Sequence, residues 1–331
     1  MLTVRVTATR EVSERVRVML EAEPTVSDLI IVPAAAGGEH DLLFFDLARE
    51  SANDVMQDLR HAGVAEDGSI VVSEPLTVIS EDAAAAERVA PGHPADGVVW
   101  AQLSDRTQED ARPSWVFFVF LLLATLIAGV GRILDQPILI IGAMVVGPEF
   151  APIAALCYAI VRGKRRIAGE AVLTLVAGFA AAIVISWAVW AVVYGAGWIT
   201  FTAATTGART SFIIEPNAWS FVIAVLAGVA GVLSLTTEKS SALVGVFISI
   251  TTVPAAGTIS LTLAVGAWDE AIAAAAQLGI NILGLLIAGT ATLAVQLHVS
   301  HPLRRRLSRR WGDPRWLRRR GPGGGAGRWS L

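Results

Sequence analysis

Gly147-Pro148-Glu149-Phe150-Ala151-Pro152 interrupts an apolar run, residues 138–161, that is long enough to cross a bilayer. Each proline removes a backbone donor and crowds the preceding turn. A carboxylate at that depth is costly unless something pairs with it. Irregular backbone at membrane depth is tolerated only where protein buries it or where it lines a cavity. About a hundred residues later, Thr251-Thr252-Val253-Pro254-Ala255-Ala256-Gly257 interrupts a second run, residues 242–265, in the same way. Two interrupted segments at matching places in two halves point to a transporter-like site at their meeting point.

The rest of the composition agrees with a membrane chain. Of 331 residues, 54% are hydrophobic, too many for an ordinary soluble enzyme. The net charge of −3 hides a segregation. Residues 1–111 carry 8 Lys and Arg against 21 Asp and Glu, residues 112–297 carry 8 against 7, and residues 298–331 carry 10 against 1. An acidic soluble head, a nearly neutral membrane body and a basic surface tail follow. The divisions expected are a head at 1–80, a linker and juxtamembrane segment at 81–114, a membrane domain at 115–297 and a tail at 298–331. No apolar stretch begins near Met1, so no signal peptide is expected. The single Cys157 lies in an apolar run and reads as packing.

Six apolar runs cover 115–134, 138–161, 168–194, 219–235, 242–265 and 271–297. The second and fourth connections carry Arg162, Lys164, Arg165, Arg166, Glu238 and Lys239, while the first, third and fifth carry Arg132 and Arg209 against Asp135, Glu215, Asp269 and Glu270. The positive-inside rule then makes the head, the tail and both termini cytoplasmic, in a bacterial inner membrane. Trp187, Trp190, Tyr194, Trp198, Trp219 and Trp268 cluster where the outer interface would lie. Arg132 and Asp135 flank a short outer turn and read as a solvated pair, with gating as the alternative.

In the head, Leu2-Thr3-Val4-Arg5-Val6-Thr7 alternates with period two, a helical pattern follows, and two strands, a helix and a fourth strand complete βαββαβ. That is the ferredoxin-like, split βαβ order of an α+β domain. No Cys-x-x-Cys is present, so a metallochaperone is excluded and a regulatory or assembly module remains. Pro91-Gly92-His93-Pro94 marks a hinge within residues 81–102.

Three spans per half make a duplicated unit inverted in the membrane. Pro148 aligned with Pro254 also aligns Ile153 with Ile259. The chain therefore reads as an α-helical polytopic membrane protein, six spans in a 3+3 inverted repeat with two Pro/Gly-broken helices.

The segment Gly142-Ala143-Met144-Val145-Val146-Gly147-Pro148-Glu149-Phe150-Ala151-Pro152-Ile153 resembles the signature of an uncharacterised membrane-protein family, the domain of unknown function 389. The resemblance continues through Gly245–Pro254 and the span holding Asn281, covering about residues 98–297. Ala255 stands where that family usually carries a second proline, which implies a gentler second break. The resemblance supports the fold and implies no activity.

Glu149 is the leading binding residue: a cation- or proton-coupled carboxylate at a helix break, or else a structural acceptor for loose backbone donors. Gly147, Pro148, Pro152 and Pro254 shape the breaks. Thr251, Thr252 and Asn281 bring neutral oxygens that fit a hard-cation or anion site, or equally interhelical hydrogen bonds. Lys164, Arg165, Arg166, Arg304, Arg305 and Arg306 suit anionic lipid headgroups. The five His have no metal spacing, and no phosphate loop or nucleophile elbow occurs, so no enzyme, metal or cofactor is expected beyond a coupling proton or sodium ion. The tail follows a span directly, which disfavours nucleic acid. Transport of a small ion or solute leads, with a passive channel or a non-transporting sensor or scaffold as alternatives. The head is expected to self-associate into a homo-oligomer.

Overall fold

The computed structural model describes residues 1–34, 38–90, 98–207, 209–210, 218–237 and 251–311, with backbone alone for 299–311. Gly37, the Pro91-Gly92-His93-Pro94 stretch, Glu215, Glu238, Lys239, the 242–250 part of the fifth apolar run and the tail beyond 311 lie outside these residues.

The head holds β1 (Leu2–Thr9), α1 (Arg10–Glu21), β2 (Val26–Val32), β3 (His40–Leu47), α2 (Ala52–His61), the short α3 (Val64–Asp67) and β4 (Ser69–Ser73). The four strands form an antiparallel sheet in the order β2-β3-β1-β4. β3 thus lies between β1 and β2, which α1 joins. Alternation along β1 turns Leu2, Val4, Val6 and Ala8 inward, into one core with Val12, Val16 and Leu20 of α1 and Val55, Met56 and Leu59 of α2. On the other face, Thr3 donates across the strands to Asp46 Oδ1 at 2.7 Å.

The head does not stop at residue 80. Residues 81–89, expected to belong to a hinge, form α4 (Glu81–Val89) against β2 and β3. Ser80 caps it, its Oγ accepting from the Ala83 N–H at 3.2 Å. The amino group of Met1 pairs with Glu87 at 2.9 Å. The Ala-rich composition that reads as linker is also a strong helix former, and a sheet edge beside it decides the matter.

α5 (Trp100–Asp110) straps the head to the helical part. Asn53 of α2 grips its start: Nδ2 donates to the Val98 carbonyl at 2.6 Å, and Oδ1 accepts from the Trp100 N–H at 3.0 Å. Val99 belongs to the head core, whereas Val98 and Leu103 belong to the core of the helical part.

That part consists of α6 (Trp115–Ile133), α7 (Pro137–Val146), α8 (Phe150–Arg162), α9 (Arg165–Gly195), the short α10 (Phe201–Thr205), α11 (Ala218–Thr236), α12 (Thr252–Val265) and α13 (Trp268–Trp311). By length and composition α6, α9, α11 and the Trp268–His298 part of α13 each suffice to cross a membrane; α7 and α8, bent by 52° at their break, make a fifth span if taken together. The described residues therefore give four or five apolar spans. α12, in the fifth run, has 14 residues, short of the ~20 that span hydrocarbon.

α12 is the centre of the assembly. It packs on α6, α7, α9, α10 and α13, and Thr252 through Thr262 are all buried. Gly257 permits the closest of these contacts: a Cβ there would lie 2.7 Å from Ala128 Cβ and 2.8 Å from the Thr125 carbonyl of α6. Two interface expectations change. Trp190 is 6% exposed and turns inward over Gly129, where a Cβ would meet its ring at 2.7 Å. Arg132 is not solvated but 1% exposed. Its guanidinium donates to Thr210 Oγ1 at 2.7 Å and to the Thr205 carbonyl at 2.9 Å, while Asp135 accepts from Thr210 Oγ1 at 3.0 Å. Thr205 and Thr210, between α9 and α11, supply the oxygens that water would have supplied.

Candidate functional site at the two helix breaks

Proline fixes where both short helices begin. Pro152 is the third residue of α8 and Pro254 the third of α12, so each removes one of the donors that a helix start cannot satisfy internally. The following turn closes alike in both: Ile153 N–H donates to the Glu149 carbonyl at 3.4 Å, and Ala255 N–H to the Thr251 carbonyl at 3.2 Å. Position within the helix therefore pairs Pro254 with Pro152, not with Pro148. Pro148 acts on the preceding helix, because it has no N–H for the Met144 carbonyl at the end of α7.

From this common region the two helices run to opposite ends. The end of α8 meets α5: Lys164 Nζ donates to Ser104 Oγ at 2.7 Å, and Arg162 lies over the Trp100 ring at 5.7 Å. The end of α12 packs with Ile199 and Ala204, on the side of Arg132 and α10.

Between the two starts lies Glu149, the residue immediately before α8, 4% exposed. Its Oε1 accepts from Thr252 Oγ1, the first residue of α12, at 2.6 Å. Its Oε2 has no hydrogen-bond partner among the described residues. That oxygen sits against Gly147, the residue that ends α7. A Cβ on Gly147 would overlap Oε2 and approach Val253 Cγ2 to 2.6 Å, so glycine is what leaves room for the carboxylate. One oxygen thus faces the positive end of α12 and the other faces the negative end of α7.

Beside this pair Thr251 Oγ1 accepts from Asn281 Nδ2 at 2.6 Å and from Gln277 Nε2 at 3.5 Å, both on α13. Gln277 is 1% and Asn281 3% exposed, and Gln277 Oε1, like Glu149 Oε2, has no partner among the described residues. The sequence residues Gly147, Pro148, Glu149, Pro152, Thr251, Thr252, Pro254 and Asn281 therefore all lie at the break between α7 and α8 or at the start of α12. Gln277 was missed, although it lies four residues before Asn281 and so one helical turn away on the same face. No cluster of three His, Cys, Asp or Glu side chains occurs among the described residues.

The lipid-facing expectations divide. Lys164 is held by Ser104 and lies 5.2 Å from the Tyr158 ring, and Arg166 pairs with Glu170 at 2.9 Å. Arg165 is exposed. Arg304, Arg305 and Arg306 lie on α13, with side chains outside the described residues.

Residues 144–287 match the family model described as Domain of unknown function (DUF389), in agreement with the sequence resemblance. The matched segment contains every residue of the two breaks named above. An uncharacterized protein of the archaeon Methanocaldococcus jannaschii is 26% identical over 167 residues, and this match spans half of each chain. No solved structure matches the chain.

Proposed function

We propose that this chain is a membrane transport protein for a small ion or solute, with its site where α7, α8 and α12 meet and with Glu149 as the coupling carboxylate. One observation carries the proposal. A carboxylate 4% exposed has one oxygen held by the first residue of a second short helix and the other without a partner among the described residues. Buried charges are paired, coordinated or neutralised, so such a group serves something that comes and goes. Broken helices that start at one point and run to opposite ends are the arrangement in which alternating access works.

The finer architecture belongs to the same proposal: six spans in a 3+3 inverted repeat, with α7–α8 and the fifth run as corresponding broken elements. The matched prolines 152 and 254 support it. The head, read as ferredoxin-like, adjoins Arg162 and Lys164 through α5, and on this reading that side is cytoplasmic by the positive-inside rule. There it acts as a regulator through α5. Arg165 and the basic end of α13 meet anionic headgroups. No cofactor or nucleic acid takes part.

Solid-supported-membrane electrophysiology on purified protein in liposomes tests this, screening ions and small metabolites beside Glu149→Gln. A substrate-dependent current that disappears in Glu149→Gln is the expected result. An unchanged current in Glu149→Gln overturns the role of the carboxylate, and silence across the panel favours a non-transporting sensor.

A further inference from the structure

We infer that the site binds one desolvated monovalent metal cation, held by Glu149 Oε2 and Gln277 Oε1 at the end of α7; this rests on the transport reading of the same site. Four observations lead to it.

First, both unpartnered atoms are acceptors. Glu149 Oε2 and Gln277 Oε1 are oxygens on side chains 4% and 1% exposed, and neither receives a hydrogen bond among the described residues. Leaving such an oxygen bare in a low-dielectric interior is costly, and only a donor or a cation removes the cost. Second, the two are joined through consecutive residues at the start of α12, its first residue Thr252 and the preceding Thr251. Thr252 holds the other oxygen of Glu149, and Thr251 accepts from the amide nitrogens of Gln277 and Asn281. With its nitrogen turned to Thr251, the Gln277 amide has its oxygen left for a ligand.

Third, Oε2 sits beside the end of a helix that a proline cuts short. Oε2 lies against Gly147, the residue that ends α7, where Pro148 denies the Met144 carbonyl its helical donor. Backbone oxygens at the end of a broken helix are ligands for small hard cations. The positive start of α12 is already engaged, because its first residue donates to Oε1.

Fourth, charge selects valence. Glu149 is the one carboxylate in this constellation, and no ion pair to it occurs among the described residues. One carboxylate and one monovalent cation form a neutral pair, which a buried site can hold. A divalent cation would leave a buried positive charge and asks for more carboxylates than are present.

The test is ion-specific stabilisation of the full chain in detergent. Thermal unfolding is followed in LiCl, NaCl and KCl, each against choline chloride at equal ionic strength. The expected result is a saturable rise in midpoint with at least one of the three metal ions. Glu149→Gln should abolish it, and Gln277→Met should raise the half-saturating concentration roughly ten- to hundredfold, the loss of one oxygen ligand to a charged partner. Thr292→Val, whose hydroxyl bonds the Ala288 carbonyl elsewhere on α13, should leave it unchanged. Circular dichroism establishes that each variant is folded, and if Glu149→Gln is not, Gln277→Met decides alone. Equal midpoints in all four salts, or saturation unaffected by Gln277→Met, overturn the inference. Cation-specific stabilisation without any current would overturn transport and leave this site standing. A Glu149-dependent current with equal midpoints in all salts would do the reverse.

Discussion

Thr252→Val removes one hydroxyl and little else. The side chain stays β-branched and nearly isosteric, and threonine and valine have similar helix propensities, so α12 itself is little affected. What is lost is the 2.6 Å hydrogen bond to Glu149 Oε1, made by a residue 0% exposed. Hydrogen bonds to charged groups contribute about 1.5–3 kcal/mol. Side-chain pairs in membrane helix bundles average nearer ~0.6 kcal/mol and reach ~1.7, because the unfolded chain in the membrane also finds partners. Glu149 belongs at the upper end of that range, since its other oxygen has no hydrogen-bond donor to fall back on. The expected cost is about 1.5–2 kcal/mol, with Thr252→Ser close to wild type. A double-mutant cycle with Glu149→Gln isolates the bond, measured by reversible unfolding in mixed micelles and read by circular dichroism. With a neutral acceptor the same Thr252→Val change should cost about 1 kcal/mol less. A coupling within about 0.5 kcal/mol of zero, the level expected for independent sites, would refute the idea that α12 holds the carboxylate in place.

Gly147→Ala should destabilise by about 1–3 kcal/mol, as overpacking does, and displace the carboxylate. Its φ of −64° is open to alanine, so the whole effect is steric, and Glu149→Ala in the same chain should relieve the part due to the carboxylate in an unfolding assay while the contact with Val253 Cγ2 remains. Asn53→Ala removes both bonds to the start of α5 and should cost about 1–2 kcal/mol, seen as faster hydrogen exchange at the Trp100–Leu103 amides. Acid should loosen the same junction through Glu74. Burial raises its pKa, but hydrogen bonds from Arg49 and Gln102 outweigh burial and leave it below the usual carboxylate value. A lowered folded value means stability that is fully present above the unfolded pKa of about 4.3 and lost as pH falls through the folded one. Thermal unfolding from pH 6 downward should show that acid-side loss in the wild type and less of it in Glu74→Gln.

The break at Gly147-Pro148 and the strand pattern of the head were legible because each rests on local chemistry. Proline and glycine punctuate wherever they stand, and period two in β1 needs no knowledge of its neighbours. Helix register was not legible. Pro148 and Pro254 look equivalent in a linear alignment, but only the fold reveals that 152 and 254 share the third position of a helix while 148 closes the helix before. Glu149 and Thr252 could each be chosen from the sequence, yet the bond between them joins residues 103 apart and is a product of packing. Gln277 was hidden by composition, one of three amides in a long, largely apolar helix, of which Asn281 alone was singled out. Arg132 misled for the opposite reason. A charged residue beside a turn reads as exposed, and its burial depends on Thr205 and Thr210, which lie more than seventy residues away.

Val98 and Val99 are successive residues that seat in separate cores, one in the helical part and one in the head. A single peptide unit, planar and nearly inextensible, therefore fastens the two bodies to each other. Between those seats there is no length of chain to act as a spring. Swinging the head by more than a side chain's width must pull one valine from its seat, and each seat is worth roughly 1.5–3 kcal/mol of burial. The joint consequently works as a detent: small forces on the head pass straight into α5 and the helices behind it, and a large displacement comes as one discrete release.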